Sequence, residues 1–251
     1  MIERMLIPLD GSRAAEAVLG RAAALLKAGR GTAVLLHVVA PADSAPEDVR
    51  VECHRAHHYL TRVAKRLYSK GVSVLTQVVI GEPSREILRA ALEEEADLVA
   101  MTGHGRGGKG EWPLGSVAGR VLRASRTPVL LVPGEAKAGG AFRRILLRLD
   151  GGVEAAAVVG ALAEGIGAKV VLGPCGKGRK VLARALDVMT RLEIPTTVRG
   201  KATVRSGADL VALSIGPAAE ALLRRGGRAL LVVPAARVES ARSEIVGYSA
   251  T

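Results

Sequence analysis

The sequence predicts an α/β protein built as two tandem doubly wound five-stranded parallel sheets, the second copy reduced. Three observations carry this. Strand-like apolar runs alternate with helical patterns through residues 1–135. Those runs are apolar throughout instead of alternating with polar residues, as strands covered on both faces are. The same order of elements then returns later in the chain.

In the first half, the strand runs fall at residues 5–9, 33–39, 72–79, 97–102 and 129–132. Helical patterns lie between them at 14–28, 47–70, 84–95 and 116–124. "GEPS" ahead of Arg85 supplies Gly, Pro and a Ser read here as the helix cap. Pro128 separates the last helix from the last strand. Sheets of this kind take ligands beyond the carboxyl ends of their strands, where the strand order reverses. Asp10 ends the first strand and the glycine-rich loop "GHGRGGKG" follows the fourth, so both are expected at one crevice.

The repeat is read from three ordered matches. "ERMLIPLDG" returns as "RRILLRLDG" at an offset of 140, "ADLVAMTG" as "ADLVALSIG" at 112, and "TPVLLVP" as "RALLVVP" at 101. The falling offset means that the second copy lost 28 residues between its first and fourth strands, then 11 more where the first copy has the glycine loop. The expected organisation is a nucleotide-type domain at 1–135, a degenerate copy at 142–235 and a polar tail at 236–251.

Composition narrows the functional classes. Aromatics are 2% of the chain, which leaves few stacking platforms for bases. No apolar run approaches the ~20 residues of a membrane span, and "MIERMLIPLDG" does not read as a secretory signal. Cys53 and Cys175 form no CxxC pair, so a cytoplasmic location is expected. The net charge of +12 divides into +3 on residues 1–135 and +9 on 136–251. A basic second half favours anionic partners, although charge speaks to solubility first.

The segment "MTGHGRGGKGEWPLGSVAGRV" (101–121) nearly spells three phosphate motifs. Gly103 to Gly108 matches GxGxxG, but that fingerprint belongs after a first strand and opens a helix at once. Gly103 to Lys109 matches GxxxxGK, but Gly110 stands where a P-loop needs a magnesium-binding Ser or Thr. The third pattern, G-x2-G-x9-G-[ST] after a fourth strand, is met by Gly105 and Gly115-Ser116, with Thr102 at the first glycine position and Gly103 beside it.

With "MLIPLDGS" in the first strand, "LLHVV" in the second and "TPVLLVP" in the last, this third pattern resembles the universal stress protein family. The resemblance covers the first copy from end to end and the second weakly. It implies a Rossmann-like, flavodoxin-like fold of the adenine nucleotide alpha hydrolase type. It implies ATP, with Mg or Mn, as ligand. By resemblance Asp10 contacts ribose or adenine, Pro8 and Leu9 line the base pocket, and Val38 meets adenine through its backbone. Thr102, Gly103, His104, Gly105, Arg106, Gly115, Ser116 and Val117 form the phosphate side.

Physical chemistry supports that division. Ser116 opens a helix whose first N–H groups, on Ser116, Val117 and Ala118, lack intrahelical acceptors. The helix dipole adds partial positive charge there. Gly105 and Gly115 allow close backbone approach, and Arg106 and Lys109 add charge-assisted contacts. An acid such as Asp10 suits ribose hydroxyls and would repel phosphates. The loop also reads as a plain connector, His104 as a loop residue, and Asp10 as a helix cap competing with Ser12. No positioned nucleophile and metal set is visible, which favours regulatory binding over turnover, slow hydrolysis or autophosphorylation aside.

Family members pair through their last strands, so residues 129–132 and 230–233 are expected to pair within this chain, with a further homodimer open. "CHRAHHYL" sets Cys53, His54, His57 and His58 at helical spacing, but a complete zinc set needs further ligands. "GPCGKGRK" is read as a shortened connector or a secondary anion site. Rival readings are an interaction module without nucleotide and an anion- or nucleic-acid-binding second half. The missing reading motif argues against sequence-specific nucleic-acid recognition.

Overall fold

Ten strands line up in one sheet in the computed structural model, which describes residues 2–41, 46–103, 114–134, 140–149, 154–173, 179–199, 207–214, 222 and 229–234. The first half supplies β1 (Arg4–Pro8), α1 (Arg13–Glu16), α2 (Leu19–Gly29), β2 (Thr32–Val39), α3 (Pro46–Tyr68), β3 (Ser73–Ile80), α4 (Pro83–Glu93), β4 (Leu98–Thr102), α5 (Ser116–Ala124) and β5 (Val129–Val132). The second supplies β6 (Arg144–Arg148), α6 (Glu154–Ile166), β7 (Lys169–Gly173), α7 (Arg179–Arg191), β8 (Thr196–Val198), β9 (Leu210–Ser214) and β10 (Ala229–Val233).

The strand order is β3-β2-β1-β4-β5-β10-β9-β6-β7-β8. Each half is a parallel five-stranded sheet, and the order reverses between β1 and β4 and again between β6 and β9. The halves meet through antiparallel pairing of β5 with β10, Leu131 opposite Leu230 and Val129 opposite Val232. This is the intrachain pairing expected from the family resemblance. It covers two sheet edges that would otherwise present unpaired N–H and C=O groups.

Burial on both faces explains the unbroken apolar runs: β4, β5, β9 and β10 are buried at every residue. One face packs under α1, α2, α3, α6 and α7, with Leu26, Leu60 and Ala163 in that core. The other packs under α4 and α5, with Ile87, Val121 and Leu122. Both layers draw residues from both halves. Phe142 is 1% exposed just ahead of β6, with the Arg21 guanidinium 4.5 Å from its ring centroid.

The repeated "ADLVA" has a structural cause. The Asp97 carboxylate accepts from the Glu3 and Arg4 N–H groups at 2.9 and 3.1 Å. Asp209 accepts from Arg143 N–H at 2.6 Å in the same way. Each Asp fastens the start of a fourth strand to the start of a first.

Two local readings are corrected, and one left open between two residues is resolved. The helix expected at 14–28 steps at Ala17, whose N–H turns to Ala14 C=O in a tighter, 3₁₀-like bond. Ser12, not Asp10, caps α1, accepting from Ala15 N–H at 3.0 Å. At α4 the cap is Glu82, which accepts from Arg85 N–H at 2.8 Å, while Ser84 sits inside the helix. Pro83 takes the first helical position, so the capping role falls to the residue before it.

Candidate functional site

The crevice opens because β1 and β4 part early. They pair at Met5–Leu98 and Leu6–Val99 and no further, although β1 runs to Pro8 and β4 to Thr102. Their other neighbours keep them extended: Pro8 pairs with Leu36 of β2 and Thr102 with Val132 of β5. The carboxyl ends of two adjacent strands therefore stand without a shared ladder at the point where strand order reverses, the position at which such sheets take ligands.

On the β1 side lie Pro8, the buried Leu9 and the half-buried Asp10. Leu9 N–H donates to Leu36 C=O at 2.8 Å, which holds this end against β2. Asp10 Oδ1 accepts from Ser12 N–H at 2.9 Å, so the turn into α1 fixes the carboxylate. Gly11 follows at φ 83°, a conformation that disfavours side chains. Near this end Tyr59 is buried with its ring edge-on to His37 at 6.0 Å. Burial, and then the Glu16 and Asp10 carboxylates, hold its hydroxyl protonated far above the usual tyrosine range.

On the β4 side, Thr102 is 6% exposed and extended, and Gly103 is buried. Neither has positive φ. The backbone here does not require glycine, so Thr102 occupies this place without strain. Gly115 N–H donates to Gly103 C=O at 2.8 Å. That bond closes the base of the intervening loop and holds the start of α5 beside the end of β4. Gly115 is the cap residue of α5, and its lack of a side chain leaves the first turn uncapped by any side-chain oxygen. Ser116 is exposed and Val117 half-buried. Val117, Leu114 and Val38 pack against the same core layer, which places a short apolar wall on the α4–α5 face of the crevice.

Sequence reasoning missed the brace across this wall. Glu82 accepts from Arg120 Nη1 of α5 at 2.9 Å as well as from the Ser84 hydroxyl. The Ser84 hydroxyl, then the Arg85 N–H, hold the Glu82 carboxyl at about 2, below its ordinary 4.5. The acidic residue and the arginine are 38 positions apart, so no local motif reveals the pair.

The second half differs at the matching place. β6 and β9 pair over four residues, from Ile145–Leu210 to Arg148–Leu213, so their ladder closes where the first opens. Arg148 replaces Pro8. Fourteen residues separate β9 from β10, against 26 between β4 and β5.

The model of the universal stress protein family matches residues 1–133. The chain belongs to the universal stress protein family. A universal stress protein of Methanocaldococcus jannaschii is 28% identical over 154 residues, 53% of this chain and 95% of the relative. One from Synechocystis is 33% identical over 136 residues, 53% of this chain and 87% of its own length. The crystal structure of a universal stress protein from Archaeoglobus fulgidus covers 92% of this chain and 96% of its own at a TM-score of 0.75. Its identity is 19%, so it speaks to fold alone, and that fold takes in both halves.

In this universal stress protein, the residues read from sequence fall into three groups. Pro8, Leu9, Asp10, Val38, Thr102, Gly103, Gly115, Ser116 and Val117 lie at the carboxyl ends of β1, β2 and β4 or at the start of α5. His104, Gly105, Arg106 and Lys109 lie outside the described residues, as do Asp150, Cys175, Lys177 and the 236–251 tail. His54, His57 and His58 lie exposed on α3 with Cys53 half-buried. No described helix is long and apolar enough to cross a membrane.

Proposed function

We propose that residues 1–135 bind an adenine nucleotide, ATP with Mg or Mn, in the crevice between β1 and β4. On this reading residues 142–235 form a degenerate partner domain, and the chain is a regulatory binding protein. The observation that carries it is the parted β1–β4 ladder with the uncapped start of α5 tied to its rim through Gly115 and Gly103. Base and ribose lie against Pro8, Leu9, Asp10 and Val38, with the Asp10 carboxylate facing the sugar. Phosphates lie at the opposite side, on the N–H groups of Ser116, Val117 and Ala118, with the helix dipole behind them. That arrangement keeps the negative charges of ligand and protein apart.

Binding is favoured over turnover. The described carboxylate at the crevice, Asp10, is held by Ser12 N–H at the sugar end and not at the phosphate end. Phosphoryl transfer needs a positioned nucleophile and positioned metal ligands at the phosphates. The second half offers no equal site on this reading, because four paired residues close its ladder. Calorimetric titration with ATP and magnesium tests this, with one site per chain expected. Two equivalent sites, or none, count against it.

A further inference from the structure

The ten-stranded sheet ends in two different edges. At one side β8 runs three residues, and so short an edge is one of the ways proteins keep a sheet from pairing further. At the other side β3 runs eight residues, and "SVLTQVVI" holds no charge and no proline, the residues that guard a long edge. β3 also carries no bulge: it pairs with β2 residue for residue, from Thr32–Ser73 to Val39–Ile80.

Its outward groups follow from the register. In a parallel ladder the residues of a strand turn to its two sides alternately. Gly81 N–H donates to Val39 C=O at 3.0 Å, so the odd-numbered residues of β3 face β2. The even-numbered ones, Val74, Thr76, Val78 and Ile80, turn their N–H and C=O to the open side. Tyr68 marks the same side: its hydroxyl donates to Val74 C=O at 2.9 Å and takes that one acceptor. Among the described residues, nothing meets the outward N–H and C=O of Thr76, Val78 and Ile80.

Exposed apolar side chains gather at this edge. Six large hydrophobic residues are exposed among the described ones, and three of them border the open side: Tyr68 at 57%, Leu75 at 48% and Ile80 at 53%. Leu75 shares its sheet face with Val79, which packs in the layer under α4 and α5. Ile80 shares the opposite face with Val74 and Val78.

We infer that β3 is the seam of a two-fold dimer, pairing antiparallel with β3 of a second copy about an axis at Val78. That register matches the open groups completely. Val78 pairs with the partner's Val78 and Thr76 with the partner's Ile80, while Val74, whose C=O is taken, stays outside the ladder. On one face each exposed Ile80 packs beside a Thr76. On the other, each exposed Leu75 lies opposite a Gly81, with no side chain in its way, and Gln77 lies opposite Val79. A two-fold contact needs a surface that complements itself, and an uncharged strand whose open groups are symmetric about one residue supplies it. The chain joins its own halves by the same device, since β5 and β10 are edges paired antiparallel. The dimer continues that sheet across a second seam. The inference does not rest on nucleotide binding.

Sedimentation equilibrium of the full chain tests it, and wild type is expected at twice the mass of one chain. Ile80→Lys weakens the association at least tenfold with far-UV circular dichroism unchanged. So does Val78→Pro, which removes only an outward N–H. Cysteine cross-linking in a Cys53→Ser, Cys175→Ser chain checks the register. Val78→Cys forms a disulfide-linked dimer on mild oxidation, because directly paired Cα atoms lie about 5.5 Å apart, within disulfide reach. Ile80→Cys does not, because the partner's Ile80 lies four residues along, about 14 Å away. If Val78→Pro fails to fold, Ile80→Lys and the cross-links decide. A monomeric wild type, a dimer as tight in Ile80→Lys as in wild type, or cross-linking through Ile80→Cys and not Val78→Cys overturns the inference.

Discussion

Phe142 should bind the two halves into one cooperative unit. It is 1% exposed and belongs to the core layer shared by α2 and α6. Arg21 of α2 covers its ring at 4.5 Å and donates to Gly140 C=O at 2.9 Å. Phe142→Ala removes a fully buried ring and leaves a cavity, a loss of about 3–5 kcal/mol. Against a domain stability of about 5–15 kcal/mol this is large. With a urea slope of about 3 kcal/mol/M for a chain of this size, the midpoint falls by about 1–1.7 M. Arg21→Ala alone costs about 1 kcal/mol. Because Arg21 acts through the ring, the double mutant falls short of the sum. Urea unfolding followed by far-UV circular dichroism measures all three. A midpoint shift below about 0.3 M for Phe142→Ala, or a wild type that unfolds in two separate transitions, would refute this reasoning.

Other residues carry further predictions. Asp97→Ala and Asp209→Ala each release a first strand from a fourth and should cost about 1–2 kcal/mol, read by the same unfolding assay. Gly31→Ala should destabilise by more than about 1 kcal/mol, since a Cβ there meets the Ile2 carbonyl oxygen at 2.4 Å. Gly165→Ala in α6 should instead stabilise by about 0.5–1 kcal/mol, because a Cβ there meets nothing within 4 Å. Glu82 has a folded pKa of about 2 against an ordinary 4.5, so its contribution is complete above 4.5 and lost as pH falls towards 2. Its side chain is 45% exposed, so that contribution stays under about 1 kcal/mol. Urea midpoints at pH 6 and pH 3 should lie closer together in Glu82→Gln than in wild type.

The sequence carried the order of elements well, because buried parallel strands are written as plain apolar runs and the repeat writes them twice. The pairing of β5 with β10 followed from the family resemblance applied to that repeat. Capping read less well. At "GEPS" the residue type favoured Ser84, but Pro83 occupies the first helical turn and shifts the cap to Glu82. The step at Ala17 has no residue signal, since it lies in an Ala-rich run that suits a continuous helix. At the crevice, the chain order of Asp10, Thr102 and Gly115 was legible, but what opens it was not. The early parting of β1 from β4, the Gly115–Gly103 bond and the Glu82–Arg120 brace depend on contacts between distant residues. The difference between the halves was visible as deleted length. That the second crevice is closed by a longer ladder needed the register.

The central claim is that the start of α5, held at the rim of the β1–β4 crevice, receives the phosphates of an adenine nucleotide. Calorimetric titration of ATP with magnesium into wild type and Gly115→Asp tests it most directly. A carboxylate at position 115 stands at the positive end of α5, where the phosphates would lie, and repels them. The account predicts one ATP site in wild type, competed by adenosine and by tripolyphosphate because each fills part of it, and its loss in Gly115→Asp with the fold intact. Equal ATP affinity in the two proteins, or no adenine-dependent binding by wild type, would contradict it.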